Sequence, residues 1–152
     1  MRIVALDVGE RRIGVAAADD RTRVAIPVAT ITIDGDPADA IARLVQEQQA
    51  DELVVGLPLS LSGALGPQAQ RIQALVDALA ARLSIPVHTW DERLTSVEAD
   101  RRLAGNKPRG RRRRSAAGRA HRQAGRQDAL AAAIILQAYL DSLAGRGRHA
   151  SP

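Results

Sequence analysis

The chain has no cysteine and no phenylalanine, and only one tryptophan and one tyrosine among its 152 residues. Without thiols there can be no disulfide, no thiolate nucleophile and no cysteine–zinc site, and a reducing compartment is compatible with that composition. With so few aromatics, any core must be built from Ala, Val, Ile and Leu, and an apolar content of 45% is enough to build one. No uninterrupted apolar run approaches the ~18 residues of a membrane span. The opening MRIVALDVGE has too short an apolar run for a secretory leader and carries Asp7 inside it. These absences lead to the expectation of a soluble, cytoplasmic protein. At this length it should be a single domain, placed at residues 1–144.

Acid is missing from one stretch in particular. Between Arg101 and Gln127 there are eleven Lys or Arg residues and no Asp or Glu. The rest of the chain sets eleven basic residues against all seventeen acids, so the net charge of +5 is local. A basic patch on an otherwise acidic body points to a polyanionic partner, usually nucleic acid. The competing reading is a solvated Arg-rich loop, enlarged by a coding bias toward arginine and alanine. Arg111, Arg112, Arg113, Arg114, Arg119 and Arg122 are the candidate phosphate contacts. The Gly-punctuated segment 105–126 is expected to be a mobile loop, and 145–152 a disordered tail.

The hydrophobic pattern gives the order of elements. Arg2–Val8 (RIVALDV) reads as a buried strand, Ile13–Ala18 as its returning neighbour, and Val24–Ile33 as a third strand interrupted by Pro27. A helix opens at Asp36-Pro37, with Ala40, Ile41, Leu44 and Val45 at helical spacing. Glu52–Gly56 is a short strand, and 57–67 a loop with two Gly and two Pro. Gln68–Leu83 is a second helix and Pro86–Trp90 a fifth strand. Thr95 with Glu98 forms a capping-box pattern for a short helix through Leu103, and a last helix runs from about Gln127 to Leu143. Three hairpin-connected strands followed by helix–strand alternation predict an α/β fold. The first three strands form an antiparallel meander and the later ones add in parallel, giving a five-stranded mixed sheet with helices on both faces. That order matches an RNase H-like core.

Three acidic motifs carry the chemistry, and each has a plain alternative. Asp7, followed by Gly9 and with Gly14 on the returning strand, is a carboxylate in an apolar strand; it is either a metal ligand or the cap of its own turn. Asp91-Glu92-Arg93 follows the fifth strand. One of its acids projects over the sheet edge, or Asp91 and Arg93 form a surface pair beside a solvated Glu92. Asp128 shares a helix face with Ala132 and Ile135, which pack on the sheet, yet it also lies in the first turn, where the helix dipole favours an acid. Carboxylates from these three places can converge on Mg²⁺ or Mn²⁺, since oxygen-only ligation suits hard cations. Ser60 and Ser62 have no partner His at a telling spacing. His88 and Trp90 read as structural, and Asp141 as solvated.

Five blocks, DVGERRIGVA, VVGLPL, GPQ, DERLTSVEA and DALAAAIILQAYLD, lie in order across almost the whole chain and resemble the YqgF/RuvX family of Holliday-junction-resolvase-like, pre-16S rRNA nucleases. The resemblance implies an RNase H-like nuclease that hydrolyses phosphodiester bonds with Mg²⁺ or Mn²⁺. Asp7, Glu92 and Asp128 would be its catalytic, metal-binding acids, Asp91 the understudy of Glu92, and Gly9, Gly14 and Arg93 supporting residues. It further implies processing of the 5′ end of precursor 16S rRNA, with structured RNA favoured over branched DNA as partner. Resolution of Holliday junctions and a non-catalytic role in ribosome assembly stay open as alternatives, as does a homodimer. Gln127 stands where members often carry an apolar residue, which loosens the register of Asp128.

Overall fold

Strand β1 (Arg2–Val8) alternates between two cores. Val4, Leu6 and Val8 join one apolar cluster, and Ile3 and Ala5 the other. A strand whose side chains are buried on both sides must be covered by helices on both faces. The computed structural model shows that arrangement; it describes residues 1–95 and 116–149, the side chains of 116–126 and 146–149 excepted.

β1 pairs antiparallel with β2 (Arg12–Asp19), and β2 antiparallel with β3 (Ile26–Thr32). β4 (Glu52–Leu57) adds in parallel on the other side of β1, and β5 (Val87–Asp91) adds in parallel to β4. The sheet order is β3-β2-β1-β4-β5, the mixed RNase H-like arrangement expected from the pattern. Helix α1 (Pro37–Glu47) is capped by Asp36, whose side chain accepts from the Ala38 amide at 3.0 Å. Together with α2 (Pro67–Arg82) it covers one face through Ile41, Leu44, Ile72, Val76 and Leu79. Helix α3 (Ala116–His149) covers the other face through Ala132, Ala133, Ile135, Leu136 and Leu140. The stretch Gln127–Gly145 is long and apolar enough to pass for a membrane span by composition, and this buried face is the reason it does.

Three expectations change. β3 begins at Ile26 rather than Val24, because the chain is still turning at Arg23 (φ 55°) and the Ala25 amide donates to Gln137 Oε1 on α3 at 3.0 Å. The segment 105–126 is not a loop throughout. The backbone is helical from Ala116, where Ala and Arg, both strong helix formers, outweigh Gly118 and Gly125. The helix also runs on to His149, into the stretch expected to be a disordered tail. The short helix from Thr95 to Leu103, and Arg111–Arg114, lie outside the described residues. A single 3₁₀ turn (Glu92–Leu94) follows β5, closed by a hydrogen bond that the Thr95 amide donates to the Glu92 carbonyl at 3.2 Å.

Candidate active site

Odd-numbered residues of β1 face α3, so Asp7 follows Ile3 and Ala5 onto that side, near the carboxyl end of the strand. Its cross-strand neighbour on β2 is Gly14. Gly14 marks the closest approach of helix and sheet: a Cβ there would lie 1.8 Å from the Asp128 carbonyl oxygen. Only glycine lets α3 settle so low. The contact sets the main chain of Asp128 directly over the strand pair that carries Asp7.

Glu92 reaches the same place from the other side. It leads the 3₁₀ turn after β5, and its carboxylate folds back over β4. A Cβ on Gly56 would lie 2.8 Å from Glu92 Oε1 and 2.6 Å from Ile135 Cδ1. Crossing that glycine brings the Glu92 carboxyl into hydrogen-bonding contact with Asp7. Two glycines, one beside Asp128 and one beneath Glu92, thus leave the space the acids occupy.

The electrostatics follow from this crowding. Burial first, and the neighbouring Asp7 charge second, push the Glu92 carboxyl up to about 7. Asp7 is also raised, by burial and then by the charge of Asp128, with the Glu92 hydrogen bond acting in the opposite direction. Buried carboxyls that repel one another either keep a proton between them or are neutralised by a cation. Asp128 completes the acidic side. Its Oδ2 is buried and accepts no hydrogen bond, although Arg12 Nε lies 3.1 Å away as an ionic neighbour. The donors are all oxygens, which fits Mg²⁺ or Mn²⁺. Among the described residues, however, no three acids or histidines are close enough to form a finished cage. Asp7 and Glu92 form a contacting pair, and Asp128 stands beside them on Arg12.

Asp91, the understudy of Glu92, is engaged elsewhere. It caps the 3₁₀ turn by accepting from the Arg93 amide at 3.0 Å and pairs with the Arg93 guanidinium, Nη2 to Oδ2 at 2.6 Å. Arg93 holds Asp91 below the usual carboxylate range, chiefly through these hydrogen bonds. The same guanidinium donates to the Leu61 carbonyl at 3.3 Å, tying the β4–α2 loop to the site's edge. Gly9 closes the β1–β2 turn by donating to the Arg12 carbonyl at 2.8 Å. Ser60 and Ser62 hydrogen-bond to each other on the surface. Arg119 and Arg122 lie on the backbone of α3, their side chains outside the described residues.

Two features escaped the sequence reading. Arg12 stands at the site, which the even spacing to Gly14 on β2 could have signalled. Buried Glu52 joins His88 Nε2 at 2.9 Å and accepts from the Tyr139 hydroxyl, clamping α3 to the edge strand. Trp90 packs edge-on to Tyr139 against the apolar core, in keeping with a structural residue. Asp141 is not simply solvated, since it accepts from Gln137 Nε2 at 3.2 Å.

Comparison with known proteins identifies the group to which this arrangement belongs. The family model RuvX, described as Holliday junction resolvase, matches residues 1–142. A Chloroflexus aggregans protein named "Putative pre-16S rRNA nuclease" is 49% identical over 145 residues, covering 92% of this chain and 93% of its own. A Moorella thermoacetica protein of the same name is 42% identical over 149 residues, covering 97% and 99%. Among solved structures, Thermus thermophilus RuvC in complex with Holliday junction substrate superposes with a TM-score of 0.57 at 13% identity, covering 95% of this chain and 96% of that one. The fowlpox virus resolvase, in complex with Holliday junction DNA, gives 0.59 at 11% identity, covering 94% and 99%. These two distant likenesses concern the fold. The family match and the close relatives cover nearly the whole chain, which belongs to the RuvX family of nuclease-type hydrolases.

Proposed function

We propose that the chain is a divalent-metal-dependent endonuclease that processes the 5′ end of precursor 16S rRNA in the cytoplasm. The observation that carries the reading is the contact between Asp7 and Glu92, two crowded carboxyls both raised by burial and by neighbouring charge. Such crowding costs stability, and a cation held between the acids would offset that cost. Asp7, Glu92 and Asp128 would hold Mg²⁺ or Mn²⁺. When bound, the metal supplies an activated water and neutralises charge on the phosphodiester. The chain's own residues fix the geometry. Gly14 and Gly56 admit the acids, Asp91 and Arg93 fasten the turn that aims Glu92, and β1 keeps Asp7 rigid. Arg111–Arg114, Arg119 and Arg122 would grip phosphates, positioning the backbone without reading its sequence.

The choice of RNA rests on the names of the close relatives. Branched DNA is the second reading, favoured by the two resolvases with which the fold superposes. The test is cleavage of a precursor 16S transcript and of a four-way DNA junction by purified protein with Mg²⁺, Mn²⁺ or EDTA. Metal-dependent cleavage of the transcript is expected, abolished by Asp7→Asn and only reduced by Asp91→Asn. Cleavage that survives in a contaminant-free Asp7→Asn protein would remove Asp7 from the site, and cleavage confined to the junction would make DNA the substrate.

A further inference from the structure

Arg12 is the one cation among the described residues that forms an ion pair with any of the three site acids. It opens β2, and its main chain is fixed: its carbonyl accepts from Gly9, and Arg12 faces Thr32 across the β2–β3 pair. By the alternation of β2 it shares the α3 face with Gly14, two residues on. Its side chain is 38% exposed on a long stem, whereas the main chain of Asp128 lies directly against Gly14. The contact between them is ionic only, Nε to Oδ2 at 3.1 Å, with no aligned hydrogen bond to that buried oxygen. A guanidinium has up to five donors in a rigid fork, and this one offers Asp128 none in good geometry.

We infer that Arg12 is an exchangeable counter-ion. It neutralises Asp128 in the metal-free protein, yields the carboxylate to a divalent cation, and then turns its guanidinium to a substrate phosphate. The inference rests on the metal-site reading above and adds a coupling to it. A cation and Arg12 compete for one carboxylate, while the carboxylate and a phosphate compete for one guanidinium. A phosphate that draws Arg12 away therefore tightens metal binding, and by reciprocity the metal tightens substrate binding by the same factor. Arg12 acts as a positioning residue for both partners, and the loosely aligned contact keeps the exchange inexpensive. A bidentate pair like that of Arg93 with Asp91 would not release readily.

The test needs no turnover. Mn²⁺ binding to the free protein is titrated by calorimetry for wild type, Arg12→Gln and Arg12→Lys. Arg12→Gln should bind Mn²⁺ about three- to fivefold more tightly, the range that loss of a competing, partly exposed ion pair supports. Arg12→Lys keeps a charge on a shorter reach and should lie between the two. In Ca²⁺, binding of the precursor transcript by Arg12→Gln should show a salt slope lower by roughly 0.7 to 0.9 than wild type, the value of one lost phosphate contact. Weaker or unchanged Mn²⁺ binding by a folded Arg12→Gln protein would overturn the inference. If Arg12→Gln fails to fold, Arg12→Lys carries the decision, and Mn²⁺ affinity equal to or below wild type would count against the exchange. Failure of wild type itself to bind Mn²⁺ would instead refute the metal-site reading on which the inference stands.

Discussion

Glu92→Gln should make the metal-free protein more stable at neutral and alkaline pH. In the folded chain the Glu92 carboxyl is pushed up to about 7, against 4.5 for an ordinary glutamate. Between those values the native state keeps a proton that the unfolded chain has released. The stability contributed by the protonated carboxyl is therefore fully present below about pH 4.5 and is lost as pH rises through 7. Each unit of pKa difference corresponds to ~1.4 kcal/mol, and solvent screening at this partly exposed carboxyl reduces the full loss to on the order of 1–2 kcal/mol by pH 8. Glutamine keeps the shape and cannot ionise, and it also relieves Asp7 of a neighbouring charge. The assay is urea denaturation of both proteins in EDTA from pH 4.5 to 8.5. The two curves should converge at the acid end, and by pH 8 the variant should lead by about 1–2 kcal/mol, on the order of 5 °C in Tm. Saturating Mn²⁺ should reverse the order, because a ligand of the native state stabilises wild type by RT ln(1 + [L]/Kd) and the variant has lost a donor. Parallel pH curves in EDTA would refute the claim that Asp7 and Glu92 are crowded at the cost of stability.

Gly14→Ala places a Cβ 1.8 Å from the Asp128 carbonyl oxygen, so helix and sheet must part. The expected loss is on the order of 3 kcal/mol in denaturant titration, with cleavage lost in whatever protein still folds. Replacing Arg111, Arg112, Arg113 and Arg114 by Ala should lower the salt slope of nucleic-acid binding by about two to three units and leave Mn²⁺ affinity unchanged. An unchanged slope would make that segment a solvated one.

The fold was legible because its strands are written in runs of β-branched and aliphatic residues bounded by polar turns. β1 falls at Arg2–Val8, the bounds its sequence predicts, since Gly9 and Glu10 stop it abruptly. The start of β3 was not legible: Val24 and Ala25 look like strand, and only the amide of Gln137, more than a hundred residues away, draws Ala25 out of the ladder. The same holds at the site. Asp91 and Glu92 are adjacent acids that sequence cannot separate; what separates them is the fork of Arg93 on Asp91 and the gap over Gly56. Arg12 went unnoticed because arginine abounds in this chain and Arg11 stands beside it. Its significance comes from facing the same side as Gly14, a fact of strand pleat rather than of composition.

On the proposed reading, the seating of α3 on Gly14 would also decide when the set of acids is complete. Asp7 is made more than a hundred residues before Asp128, and the two meet only when α3 docks. Until then the face of the sheet bearing Ile3, Ala5, Ala16, Ala18 and Val54 has no cover. A chain still in synthesis, or one truncated before the last helix, would thus present an apolar surface for chaperones and an incomplete set of acids. Cutting power would be withheld from every unfinished copy by the order of the residues alone. That is a safeguard for a nuclease whose own translation takes place beside ribosomal RNA.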